Sequence, residues 1–132
     1  MVSTRQYRRF FEREIKMNRE KEITGNVVYF EKVDLRPGSS LHVSLVDTTQ
    51  SNALKTLATE IYSNVNNDIM EYTLSYDLAK LQYGNTYSIS ANILYEDQVV
   101  FTSTKPVPVD LSADMMWVKD VVVSIVSVSP GA

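Results

Sequence analysis

The chain has 132 residues, no cysteine, 44% hydrophobic and 22% charged residues, and a formal net charge of −3. That is enough for one domain around one core, and the missing thiols exclude a disulfide framework, a thiolate metal site and a cysteine nucleophile. No apolar run approaches the ~20 residues that a membrane-spanning helix needs, and the charged opening VSTRQYRRFFEREIK lacks the apolar core of a signal peptide.

The charge is unevenly placed. Residues 1–22 carry seven Lys/Arg against four Glu, and the remainder carries six against twelve acidic groups. A basic arm on an acidic body argues against nucleic acid as a partner of the body. The abundance of Val, Ile, Thr, Ser and Tyr favours strands. The expected fold is all-β: an antiparallel β-sandwich of about seven to eight strands with a short N-terminal helix. Residues 1–21 form the amphipathic arm and 22–132 the sandwich domain.

In chain order, Tyr7, Phe11 and Ile15 are spaced by four and Phe10 widens the stripe, which predicts a helix over residues 3–20. Ser3 or Thr4 is placed to cap it. A first strand is expected over residues 22–31, with Ile23, Gly25, Val27 and Tyr29 on one face and Val28 and Phe30 on the other. Apolar residues on both faces suggest cover on both sides. Gly25 within it marks a bulge or a close backbone approach. Pro37-Gly38 suits a type II turn. Residues 40–47 form the most regular strand, with Leu41, Val43 and Leu45 inward and His42 and Ser44 outward. A third strand covers residues 54–62, anchored by Leu57, Ala58 and Ile61.

Met70, Tyr72, Leu74 and Tyr76 then alternate with polar residues in a fourth strand. Asp77 is expected to cap one helical turn. The spacing of Leu81, Gly84 and Tyr87 resembles a tyrosine corner, in which the Tyr hydroxyl bonds back to nearby backbone. Strands at residues 87–95 and 98–104 make a hairpin around Glu96-Asp97, weaker turn chemistry than Asn-Gly. Pro106 and Pro108 cannot donate, so residues 105–109 run as an edge or a polyproline-like crossover. Residues 112–114 should turn, and residues 116–128 should form a long last strand with a change of face near Val126.

The chemical inventory is poor. His42 is the only histidine, so no histidine pair can bind a metal, and no phosphate loop or nucleophile elbow is present. Glu96 and Asp97 are expected to be solvated turn residues. Catalytic residues, metal ligands and cofactors are expected to be absent. The cluster Met115-Met116-Trp117 either covers the core or forms part of an adaptable apolar groove.

Gly25-x-Val27-x-Tyr29, followed by Leu35-x-Pro37-Gly38-x-x-Leu41-x-Val43-x-Leu45-x-Asp47, resembles the YbaY/YscW-type lipoprotein family. Tyr72-x-Leu74-x-Tyr76-Asp77, Tyr87-x-Ile89-x-Ala91-x-Ile93 and Phe101-Thr102 continue the likeness, which runs from about Ile23 to Val128. The resemblance implies a β-sandwich on the periplasmic face of the bacterial outer membrane. In its pilotin branch, such a protein binds the C-terminal segment of a type III secretion secretin and helps it assemble. The family opens with a signal peptide and a lipidated cysteine. Their absence here implies a sequence that starts after them, with Met1 as a new start, and so a lipid anchor outside this chain. A glycine common at the hairpin tip is replaced by Asp97.

Under that reading Trp117, Met116 and Phe30 are the groove candidates. The arm, with Tyr7, Phe10 and Phe11, would cover the groove or pair two copies as a homodimer. Two alternatives stand beside it: a YbaY-like envelope lipoprotein domain with a structural or stress role, and a hydrolase, which a deep pocket holding a buried carboxylate would favour.

Overall fold

The computed structural model describes residues 20–110 and 117–126, with Trp117 represented by its backbone. Nine strands are present among them: β1 (Glu20–Val28), β2 (Ser40–Asp47), β3 (Lys55–Ser63), β4 (Ile69–Asp77), β5 (Tyr87–Tyr95), β6 (Gln98–Ser103), β7 (Val107–Val109), β8 (Trp117–Val118) and β9 (Val121–Ile125). The all-β expectation holds. The expected N-terminal helix lies outside the described residues, as do the turn at 112–114 and Met116. Glu20 and Lys21, assigned above to the arm, already belong to β1.

The strands do not form two separate sheets. They follow one path, β3-β2-β5-β6-β9-β1-β4, which curls until β3 approaches β4. The molecule is therefore a nearly closed barrel rather than the expected open sandwich. The join is β9, which pairs antiparallel with β6 on one side and parallel with β1 on the other.

Period-two alternation builds the interior. In β4, Met70, Tyr72, Leu74 and Tyr76 are buried while Ile69, Glu71, Thr73 and Ser75 face out. Leu41, Val43 and Leu45 of β2, Ile89, Ala91 and Ile93 of β5, and Val121 and Val123 of β9 complete one core with Ile23, Val27 and Phe101. Each large aliphatic side chain fully removed from water contributes about 2 kcal/mol. The Tyr29 and Phe101 rings meet with centroids 4.6 Å apart.

Side chains mend the ladder where strands share an edge. β6 and β7 take successive stretches of the same β5 edge. Between them Ser103 Oγ accepts from Ala91 N (2.6 Å) and donates to Ala91 O (2.9 Å). The corner forms as expected: Tyr87 Oη accepts from Gln82 N (2.8 Å) and donates to Gln82 O (3.3 Å). Asp77 caps the short 3-10 turn Leu78–Lys80 through Ala79 N. Glu96 and Asp97 both adopt positive φ, 50° and 64°, the backbone of a type I′ hairpin.

Three expectations are corrected. Phe30 is 78% exposed, because β1 ends at Val28 and the chain turns away after Tyr29 N bonds to Asp68 O. Ile61 is exposed while Tyr62 turns inward opposite Leu41. A register shift between Leu45 and Val46 changes which residues of β3 face in. The last strand breaks at Lys119-Asp120, leaving β8 and β9 as separate pieces on the β1 edge. At that break Lys119 N donates to Thr24 O (2.8 Å), Asp120 Oδ1 accepts from Asn26 N (3.0 Å), and Tyr72 Oη donates to Lys119 O.

Gly25 makes the break fit, since a Cβ there would stand 1.8 Å from the Lys119 carbonyl oxygen. Gly25→Ala should destabilise the fold by about 3 kcal/mol through forced backbone movement. Gly38→Ala meets open space and only a positive φ of 91°, and should cost about 1 kcal/mol; urea denaturation of both variants measures the contrast.

Burial first, then the nearby Asp120 carboxylate, raises the Tyr72 pKa above its ordinary 10.0, and burial alone raises that of Tyr76. A raised folded-state pKa means stability that is complete below pH 10 and lost as pH climbs toward the folded value. The wild type should therefore lose stability steeply above pH 10, and Tyr72→Phe should flatten that loss while costing about 1 kcal/mol at pH 7. Denaturation midpoints measured from pH 7 to 11 check both effects.

Candidate functional site

Among the described residues the barrel is open at one seam. β3 and β4 are the two ends of the strand path, and no ladder joins them. Tyr62 closes the gap from the side. Its hydroxyl accepts from Thr73 N (2.9 Å) and donates to Thr73 O (3.0 Å), standing in for one rung of backbone pairing. Residues two apart along a strand turn their backbone groups the same way, so Glu71 and Ser75 also direct N–H and C=O toward the seam. These groups form a sheet edge available to another extended segment.

Beside the latch lies a depression of about 510 Å³, lined by Leu41, Tyr62, Val65, Met70, Asn26 and Glu71 among others. Its floor is apolar and its rim carries amides and a carboxylate. Ile61 and Ile69 are exposed on the two flanking strands. Glu60 lies on the core-facing side of β3, opposite the fully buried Val43. It is half-buried, and its carboxylate has neither a hydrogen bond nor an ion pair among the described residues.

The two ends of the barrel differ. At one, Asp47 is held below its usual carboxylate pKa by Thr49, whose hydroxyl and amide both donate to Oδ1. Asn85 donates to the other oxygen (2.8 Å), and Thr86 N donates to Thr49 Oγ1 (3.0 Å). These bonds lock the β2–β3 loop to the corner before β5. At the other end, Val33, Leu35, Val100, Phe101 and Ile125 line a second depression of about 460 Å³. Arg36 stacks over the Tyr95 ring there, 5.4 Å from its centroid.

Of the residues singled out in the sequence, the described part of the structure contains only Phe30 and the backbone of Trp117. Trp117 pairs through its backbone with Ile23. Phe30 lies beyond the end of β1 and is exposed. Met116, Tyr7, Phe10 and Phe11 lie outside the described residues. Tyr62 and Glu60 were missed. Alternation inward from Tyr62 would have placed Glu60 on the core face, but the irregular pattern of β3 concealed it. Neither pocket gathers the converging polar groups of a catalytic centre, and no group of three or more His, Asp or Glu side chains suited to a metal occurs among the described residues.

The family model for the type III secretion system lipoprotein chaperone, YscW, matches residues 18–123. The chain belongs to this family. A solved structure, the alternative pilotin from the type II secretion system of Vibrio cholerae, is similar in fold, with a TM-score of 0.73 and 23% sequence identity. The match covers 82% of this chain and 98% of that one. No curated protein sequence matches the chain. The family is one of lipoprotein chaperones.

Tyr62→Phe removes both bonds to Thr73 and keeps the ring. It should cost about 1–2 kcal/mol and speed hydrogen exchange at the Thr73 amide relative to the amides of β5. Unchanged Thr73 protection would show that the hydroxyl does not latch the seam.

Proposed function

We propose that this chain is a secretin pilotin: it docks the C-terminal segment of a secretin subunit and assists its targeting and assembly. It works from the periplasmic face of the outer membrane, to which a lipid anchor outside the present chain would hold it. The process is equilibrium binding and needs no bond chemistry. Membership of the lipoprotein chaperone family supports the role, as does the fold shared with a pilotin.

The observation that carries the docking site is the open seam. A partner segment can pair with the seam-facing backbone groups of Glu71 and Ser75, and with those of Thr73 once Tyr62 releases them, while its apolar side chains enter the depression behind Tyr62. Strand addition of this kind draws affinity from main-chain bonds and specificity from alternate side-chain pockets. Trp117, Met116 and Phe30 are the competing docking candidates.

Calorimetric titration with the C-terminal peptides of a type III and of a type II secretin tests the reading and assigns the system. Binding of one peptide, weakened several-fold by Ile61→Asp but unchanged by Trp117→Ala, is the expected result. Loss of binding in Trp117→Ala alone would move the site to the other surface, and no binding of either peptide to folded protein would overturn the pilotin role.

A further inference from the structure

Two exposed apolar tips stand at one end of the barrel and are fastened to each other. Leu54, at the close of the β2–β3 loop, is 59% exposed, and Tyr83, in the turn before β5, is fully exposed. That turn is fixed twice. Asn85 N donates to Gln82 O, with Gly84 at a φ of 88°, and the Tyr87 hydroxyl clamps Gln82 from inside. Further bonds tie the turn to the loop that carries Leu54. Thr48 N donates to Thr86 O (2.9 Å), Thr86 N to Thr49 Oγ1 (3.0 Å) and Asn85 Nδ2 to Asp47 Oδ2 (2.8 Å), and the Thr48 and Thr86 hydroxyls share a bond of 3.0 Å. These bonds fix the position of two side chains that do not pack on the core. A rigid tip gives up little conformational freedom when it is immersed.

The chain and its charges both turn this end toward a lipid surface. β1 begins here: Glu20 pairs with Asp77, which caps the short turn leading to Tyr83. A lipid anchor N-terminal to the chain is therefore joined to the barrel beside the two tips, and the other end of β1 stands about 30 Å farther off. Lys55 directly follows Leu54 and Lys80 precedes Tyr83 by three residues; both are exposed. Asp47 and Asp77 are half-buried and bonded within their own loops, so Glu20 and Asp110 balance the two lysines. The opposite end also exposes apolar side chains, Phe30 and Val33 among them. It sets exposed Asp34, Asp68, Glu96 and Asp97 against Lys32 and Arg36, a net −2 that an anionic surface repels. A tyrosine ring suits the headgroup layer, where its hydroxyl stays wet, and lysine stems lie along the apolar boundary with their ammonium groups in water.

We propose that this end of the barrel rests on a phospholipid bilayer, with Leu54 and Tyr83 immersed at headgroup depth. The depression behind Tyr62, lined by Val65, Asn66 and Ile69 at the far end, then faces away from the lipid and stays open to a partner. The inference rests on the lipid-anchored part of the reading above and needs no secretin.

The full chain contains no cysteine, so one introduced thiol carries a polarity-sensitive fluorophore at a chosen place. Chains with an N-terminal histidine tag are held on vesicles of phosphatidylethanolamine and phosphatidylglycerol doped with nickel-chelating lipid. The label at Ala53→Cys, in the exposed loop beside Leu54, should brighten several-fold on the vesicles and be quenched by spin-labelled lipid. The label at Phe30→Cys, at the opposite end, should stay as it is in solution. Adding Leu54→Asp and Tyr83→Asp should remove most of the Ala53→Cys response in protein whose circular dichroism is unchanged and which remains tethered. An equal or larger response at Phe30→Cys, no response at Ala53→Cys, or a response indifferent to the paired aspartates would each overturn the proposal. Any of these with a secretin peptide still bound would leave the pilotin reading standing, and a vesicle response without peptide binding would do the reverse.

Discussion

A carbonyl oxygen lying where a side chain would otherwise begin sets the geometry of this barrel. The chain between β8 and β9 brings Lys119 O against Gly25 of β1, and Tyr72, Thr24 and Asn26 hold that strip of backbone through three hydrogen bonds. β8 and β9 can follow the β1 edge only because the approach is that close. β9 pairs on its other side with β6, so the contact at Gly25 joins what would otherwise be two sheets. Any residue with a Cβ at position 25 pushes on backbone, which cannot give as a flexible side chain can.

Much of the barrel was legible from alternation. β2, β4 and β5 lie where their period of two placed them, because one face of each is buried and a one-residue slip would turn every core side chain to water. The Tyr87 corner, the Asp77 cap and the Glu96-Asp97 hairpin were legible for a related reason: each is local chemistry over a few residues. The misplacements are long-range. Phe30 was paired with a covering layer that the turn after Tyr29 removes, and Ile61 was put inside because the extra residue at Leu57, where β3 slips against β2, breaks the alternation that would carry Leu57 and Ile61 to one face. Closure of the sheet depends on Gly25 meeting Lys119, 94 residues away, and the glycine announced an approach without naming its partner. The seam was the least legible part, since it consists of what two strands leave unmade.

An exposed sheet edge invites unwanted pairing, and proteins blunt such edges with charge or short length. Here the edge is guarded by one phenol and one carboxylate. Tyr62 satisfies Thr73 without sealing the gap, and a side-chain bond of this kind exchanges for a backbone bond at little net cost. Glu60 penalises an apolar strand that brings no cation. Together they guard the opening against indiscriminate strand pairing.

The first strand finds its parallel neighbours only near the other end of the chain: Val27 pairs with Val121. Loop-closure entropy makes such a contact slow to reach, and topologies rich in distant pairings fold late. β1 and β4 can meet early, across a separation about half as long, but the ring stays open until residues past 120 arrive. During synthesis or export, this polypeptide therefore spends its immature life as a partial sheet with several unprotected margins. The five residues of β9, Val121–Ile125, act as a clasp, and deleting them should injure folding out of proportion to the mass removed.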